Sequence, residues 1–160
     1  MKRILCILLA LLSILGASFA EGSLPAVPDA AREAALTDTA YIHYGDYGLP
    51  IESLQYRLGV SYLNNDSDTE PYFCSATLNA LLEYQAEHGL VQSGCFDSDT
   101  LRLLLRVPED EHKDITVWIP MHGGRKCHTK ESCSGMKEPR KVPLDCAGYL
   151  GFDPCKKCYK

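Results

Sequence analysis

The sequence predicts a mainly α N-terminal three-helix domain followed by a small α+β C-terminal module closed by a zinc knuckle. Three observations carry this expectation. Apolar residues recur at helical spacing in three segments between residues 44 and 107, each followed by a Gly or Pro stop. Beyond residue 114 the pattern turns to alternation, and a His and three Cys gather at metal-ligand spacing. Charge divides at the same place: residues 21–112 hold 16 Asp and Glu against 4 Lys and Arg, whereas residues 113–160 hold 5 against 10.

The chain begins with Lys2 and Arg3, an almost wholly apolar run over residues 4–15, and small residues Ala17, Ser18 and Ala20. This pattern reads as a signal peptide over residues 1–20, cleaved after Ala20. The run is shorter than the roughly 18–20 residues that a membrane span takes. The mature chain is therefore expected to be secreted, with no membrane contact after cleavage. Residues 21–40, rich in Ala and Pro, form a linker.

Residues 41–107 make up the predicted helical domain. In the first helix Ile51, Leu54 and Leu58 share a face, Pro50 suits an early helical position, and Gly59 marks the end. The second starts near Ser75, carries Leu78, Leu81, Leu82 and Gln85, and stops at Gly89. The third begins at an Asp or Ser cap, sets Leu101, Leu104 and Leu105 on one stripe, and halts before Pro108. Ser75-Ala76-Thr77-Leu78 and Ser98-Asp99-Thr100-Leu101 form a small internal repeat, which places Cys74 and Cys95 on equivalent loops. A bridge between them would close a loop of about 20 residues and contribute about 3 kcal/mol; two unbridged thiols are the alternative.

The order Gly45, Gly48, Ile51, Leu54-Gln55, Leu58, then Phe73, Thr77, Ala80, Tyr84-Gln85, Gly89-Leu90, Gly94, Thr100 and Leu104 resembles the bacterial peptidoglycan-binding domain of the three-helix type. That family runs GxxGxxVxxLQxxL, then TxxAxxxFQxxxGL, then DGxxGxxT. Cys74 and Asp97 stand where the family has Gly, and Cys95 where it has an aliphatic residue. The resemblance implies peptidoglycan as partner and a cell-wall location. It leaves the ligand-binding residues unassigned. Gln55 and Gln85 are expected to bond nearby backbone rather than sugar. Tyr44, Tyr47, Tyr62 and Tyr72 are candidates for a ring face on a glycan, and each reads equally well as half-buried core.

After a polar hinge at residues 108–114, residues 115–160 form the second unit. Ile115, Val117 and Ile119 suit a strand, His122-Gly123-Gly124 a hairpin turn into a second strand, and residues 144–150 a short helix ended by Gly151. So little apolar material in under about 50 residues needs a metal or disulfides to fold. The candidate ligands are His128, Cys133, Cys155 and Cys158. Two thiolates of a CxxC knuckle reach one tetrahedral ion from a single turn, and a His and Cys from another loop complete a closed, structural site. Zinc accepts such a mixed sulfur and nitrogen set.

The order VWIP, Gly124, Lys126, His128, Cys133, Met136, Val142, Leu144, Ala147, Gly151, then Pro154-Cys155-Lys156-Lys157-Cys158 is similar to a short C-terminal module of bacterial nucleases, competence-type metallohydrolases and other exported proteins. Its pattern is VWxxxxGxKYHxxxCxxM, then VxxxEAxxxGxxPCxxC, and the likeness implies that the His and three Cys hold zinc. Cys127 replaces its usual Tyr and Cys146 its usual acidic residue. Of eight cysteines, Cys6 leaves with the signal. With Cys74 and Cys95 as one bridge and three cysteines as ligands, Cys127 and Cys146 are expected as a second bridge. An all-disulfide tail would strand one cysteine.

No HExxH, GxSxG or cysteine partner motif marks an enzyme. The expected function is that of an exported, noncatalytic peptidoglycan-binding protein with a structural zinc module. Two alternatives stay open. One is an unrecognised wall hydrolase or its accessory subunit. The other is a polyanion, nucleic acid or teichoic acid, bound through the basic tail, although Lys and Arg there also serve solubility.

Overall fold

The computed structural model describes residues 40–60, 71–108 and 114–159. The signal peptide, nearly all of the linker, most of the hinge, Tyr62 and His112 lie outside the described residues.

Helix α1 (Leu49–Arg57) has Pro in its first turn and buries Ile51, Leu54 and Gln55. Gly48, immediately before it, has φ 122°, and a Cβ there would collide with the Met121 carbonyl oxygen. Glycine is needed at this position because the helix start lies against the backbone of a distant strand. Helix α2 (Ser75–Glu87) buries Leu78, Leu81, Leu82 and Gln85. Helix α3 (Ser98–Leu105) is capped by Asp97, whose carboxylate accepts from the Thr100 amide at 2.9 Å. It buries Leu101, Leu104 and Leu105, and Arg106 ends it in the left-handed conformation. Both glutamines point inward as expected. Gln85 Nε2 donates to the Cys95 carbonyl and Thr100 Oγ1 at 3.0 Å each, and Gln55 Nε2 to the Tyr72 carbonyl at 2.8 Å.

Strand β1 (Thr116–His122) pairs antiparallel with β3 (Lys137–Pro143), with Val117 opposite Val142 and Ile119 opposite Arg140. The turn after His122 does bring the chain back alongside β1, where Trp118 and His128 exchange both backbone hydrogen bonds at 2.8 Å. The strand that pairs along its length is nevertheless β3. The short strand β2 (Lys126–Cys127) instead runs parallel to β4 (Asp153–Pro154), beyond helix α4 (Leu144–Tyr149). No helix among the described residues is long and apolar enough to cross a membrane.

The expected fold class, a mainly α three-helix domain beside a small separate module, is corrected. The three helices form, but four helices and a small antiparallel sheet share one hydrophobic core. Ile42, Ile51, Leu54, Phe73, Phe96 and Leu101 belong to the same buried cluster as Val117, Ile119, Val142 and Phe152. Periodicity reveals which side of a helix is apolar but not what covers it. Here α1 lies against β1, and α3 against β3 and α4.

Polar ties cross the same boundary. Arg140 on β3 grips Asp46 with two bonds, Nε to Oδ2 at 2.9 Å and Nη2 to Oδ1 at 2.6 Å. Their side chains are only 14% and 3% exposed. The His43 amide adds a third bond to Asp46 at 2.9 Å, and Arg102 on α3 bonds Asp145 on α4 at 2.9 Å. Removing the arginine would leave a buried carboxylate with only the His43 ring, 3.9 Å away, in reach as a cation, and breaking such a buried pair costs about 3–5 kcal/mol. Arg140→Ala is therefore expected to lower stability by about that amount in equilibrium denaturation; a loss below about 1 kcal/mol would show that the pair is well solvated.

Candidate metal centre

His128, Cys133, Cys155 and Cys158 arrive from three segments, each fixed by backbone hydrogen bonds. His128 is set by its two-way pairing with Trp118, and its side chain is buried. Cys133 opens a 3₁₀ turn (Cys133–Gly135) after its amide bonds the Lys130 carbonyl at 3.1 Å. Cys155 follows β4, and its amide donates to the Cys127 carbonyl at 3.0 Å, so the β2–β4 pairing delivers it beside His128. The amides of Cys158 and Tyr159 both donate to the Cys155 carbonyl at 3.0 Å, curling the last turn until both knuckle sulfurs face inward.

The four ligand atoms lie within 4.8 Å of one another. Cys158 Sγ stands 3.1 Å from Cys133 Sγ and 3.6 Å from His128 Nδ1. A tetrahedral ion with metal–sulfur bonds of about 2.3 Å would set sulfur–sulfur edges near 3.8 Å. The cluster therefore has the size and the donor chemistry of a four-coordinate metal site. Among the described residues no other His, Cys, Asp and Glu group could hold an ion.

The electrostatics favour a thiolate at the centre. The hydrogen bond from Cys133 is the largest influence on Cys158 and, with those from His128 and Thr129, brings its pKa down to about 6 against the cost of burial. On Cys133 the Ser134 hydroxyl favours the thiolate, but the bond to Cys158 and the neighbouring sulfur charges prevail and push the thiol up. Ser134 and Thr129 were not legible as participants from the sequence, because a hydroxyl beside a ligand carries no spacing signal. Trp118 is visible in the sequence only as part of the VWIP motif, and its pairing with His128 was not legible because it acts through its backbone.

Neither expected bridge, Cys74–Cys95 or Cys127–Cys146, is formed among the described residues. Cys74 caps the start of α2 with its sulfur 3.7 Å from Thr77 Oγ1, and Cys95 is packed in the core. Cys127 lies 3.8 Å from the Tyr159 hydroxyl, while Cys146 is fully buried at α4. These side chains fill space and make weak polar contacts where they are, so nothing in the packing calls for a covalent link.

The tyrosines considered for a glycan and the other histidines separate clearly. His43 bonds the Tyr44 carbonyl, and His122 meets Glu138 at 3.3 Å, both outside the four-donor cluster. Tyr44 packs edge-on against buried Phe73. Tyr47 and Tyr72, by contrast, are 40% and 37% exposed and sit opposite each other on a backbone bridge.

No family model, curated protein or solved structure matches this chain.

The thiols differ enough to be told apart chemically. At Cys74 burial raises the pKa, but hydrogen bonds from Thr77 and Ala76 at the helix start outweigh it and lower it below the usual thiol value. Burial, helped by Asp145, lifts Cys146 to about 12. Since the thiolate is the reactive form, iodoacetamide at neutral pH is expected to label Cys74 well before Cys146. Unreduced peptide mapping reads the order, and recovery of Cys74–Cys95 or Cys127–Cys146 linked peptides would contradict it.

Proposed function

We propose that the protein is an exported, noncatalytic binding protein of the bacterial cell wall, its C-terminal part braced by one structural zinc ion. The observation that carries this reading is the closed four-donor cluster: with His128, Cys133, Cys155 and Cys158 all within 4.8 Å, every position of a tetrahedral ion is taken by protein. No position remains for an activated water or a polarised substrate. The metal is zinc on this reading because three sulfurs and an imidazole suit it and no redox chemistry is asked of it.

Attachment to peptidoglycan is supported by the ordered resemblance from Gly45 to Leu104 and by one feature of the surface. Tyr47 and Tyr72 are two part-exposed tyrosines paired across a backbone bridge, with the Tyr47 ring braced against the His122 ring at 4.0 Å between centroids. A pair of flat, preorganised aromatic faces suits stacking on sugar rings. The side-chain amide of Gln55, donating to the Tyr72 carbonyl, and the Gly48 amide, donating to the Pro71 carbonyl, hold the pair in place.

Elemental analysis of the exported protein is expected to find one zinc per chain, and Cys155→Ser to lose it. Structural zinc sites contribute about 10–16 kcal/mol at pH 7. Because both parts share one core, this variant is expected to lose helical as well as sheet signal in circular dichroism. A chain free of metal that stays folded in chelator would sink the zinc assignment.

Sedimentation with purified sacculi tests the wall reading. The native chain should pellet without clearing the suspension, and the double variant Tyr47→Ala, Tyr72→Ala should bind about tenfold more weakly, whereas Tyr56→Ala on α1 should not. A native chain left in the supernatant would refute wall binding, and falling turbidity would turn the reading to a hydrolase.

A further inference from the structure

Beside the metal cluster the C-terminal part opens into a cleft of about 620 Å³, well within the range of about 300–1,000 Å³ usual for ligand sites. Pro120, Met136, Gly123 and Gly124 give it a largely apolar lining, and Lys126, Lys137, Lys156 and Lys157 border it. Lys126 is held by Asp153 at 2.8 Å. Lys137, Lys156 and Lys157 make no ion pair among the described residues. The neighbouring carboxylates are already engaged, Asp153 with Lys126 and Glu138 with His122. The cleft is therefore left with a net positive border.

Lysines that served solubility alone would be scattered over convex surface. These converge from separate parts of the chain on one concavity. Lys137 begins β3 opposite His122 of β1, while Lys156 and Lys157 stand between the ligands Cys155 and Cys158. The knuckle turn that places the sulfurs also fixes these two backbones. Their positions are thus preorganised, although their side chains are exposed.

The kind of anion follows from what lines the cleft. All four cations are lysines and none is arginine. Arginine's planar fork fixes the orientation of a carboxylate or a phosphate, whereas an ammonium is a point charge that meets a tetrahedral phosphate from any direction and so suits a chain of repeated phosphates in varied orientations. No Phe, Tyr or Trp lines it either, and its two imidazoles are engaged, His128 in the four-donor cluster and His122 with Glu138 and the Tyr47 ring, so it lacks the stacking platform by which single-stranded nucleic acids are held. We propose that this cleft binds a phosphate-bearing chain with an aliphatic, non-aromatic backbone, of the polyol-phosphate kind. This inference rests on the fold of residues 114–159 and is independent of the wall reading made at Tyr47 and Tyr72.

The test uses the full mature chain loaded with metal and a fluorescently labelled poly(glycerol phosphate), titrated at several salt concentrations. Binding is expected to weaken linearly in log–log form as salt rises, through counterion release. The combined variant Lys137→Glu, Lys156→Glu, Lys157→Glu should bind about tenfold or more weakly and show a salt slope shallower by about three. Its metal content and circular dichroism should match the native chain. Should the three charge reversals prevent folding, the triple Gln variant reads the same loss. Absence of binding at low salt, native affinity in the folded variant, or tighter binding of an oligothymidylate than of the polyol phosphate would each overturn the proposal.

Discussion

Asp46 is a carboxylate at 3% exposure, and a charge so placed is tolerated only where a cation and several donors reach it. The cation comes from Arg140, 94 residues further along. That one requirement orders much of the molecule. It brings β3 to the loop before α1, and the register of β3 on β1 then places β1 beneath the start of α1, where Gly48 allows the backbone of Met121 to approach. The core formed behind this clamp draws residues from both ends of the described chain. Loss of order in the sheet is thereby felt by the helices.

The helices were legible because each needs only local information: a spaced apolar face, a cap such as Asp97, and a stop such as Gly89. The inward role of Gln85 was legible too, since a polar residue on an apolar stripe must find partners nearby. The sheet was not. The sequence suggests a strand just after the turn at Gly123, but only Lys126 and Cys127 are strand there, and their partner is β4. The true partner of β1 follows a loop whose course depends on where His128 and Cys133 converge. Alternation along a strand gives no indication of how far away its partner lies.

The cluster that could hold a metal ion was readable because a CxxC turn fixes two sulfurs by local geometry, and a His and a Cys nearby complete the count. The bridges were less legible for a related reason. Counting thiols assumes that each cysteine outside the cluster must find a partner, yet Cys127 and Cys146 are almost wholly buried. A buried cysteine behaves as a small apolar side chain, and packing leaves no mark in an arithmetic of pairs.

The opposite charges of the two halves, obvious in the sequence, are used in two different ways. Across the boundary the pairs are made by arginines: Arg140 of the basic half grips Asp46 with its rigid fork, and Arg102, a cation of the acidic half, makes a single bond to Asp145. The lysines do not enter the core. Their strongly hydrated ammonium groups remain at the surface, and three of them border the cleft with no partner of their own among the described residues. Arginine thus accounts for how the halves are joined, and lysine for the charge left to act outward. The CxxC turn connects the two roles, since the turn that brings Cys155 and Cys158 into the four-donor cluster is the same turn that presents Lys156 and Lys157 to the solvent.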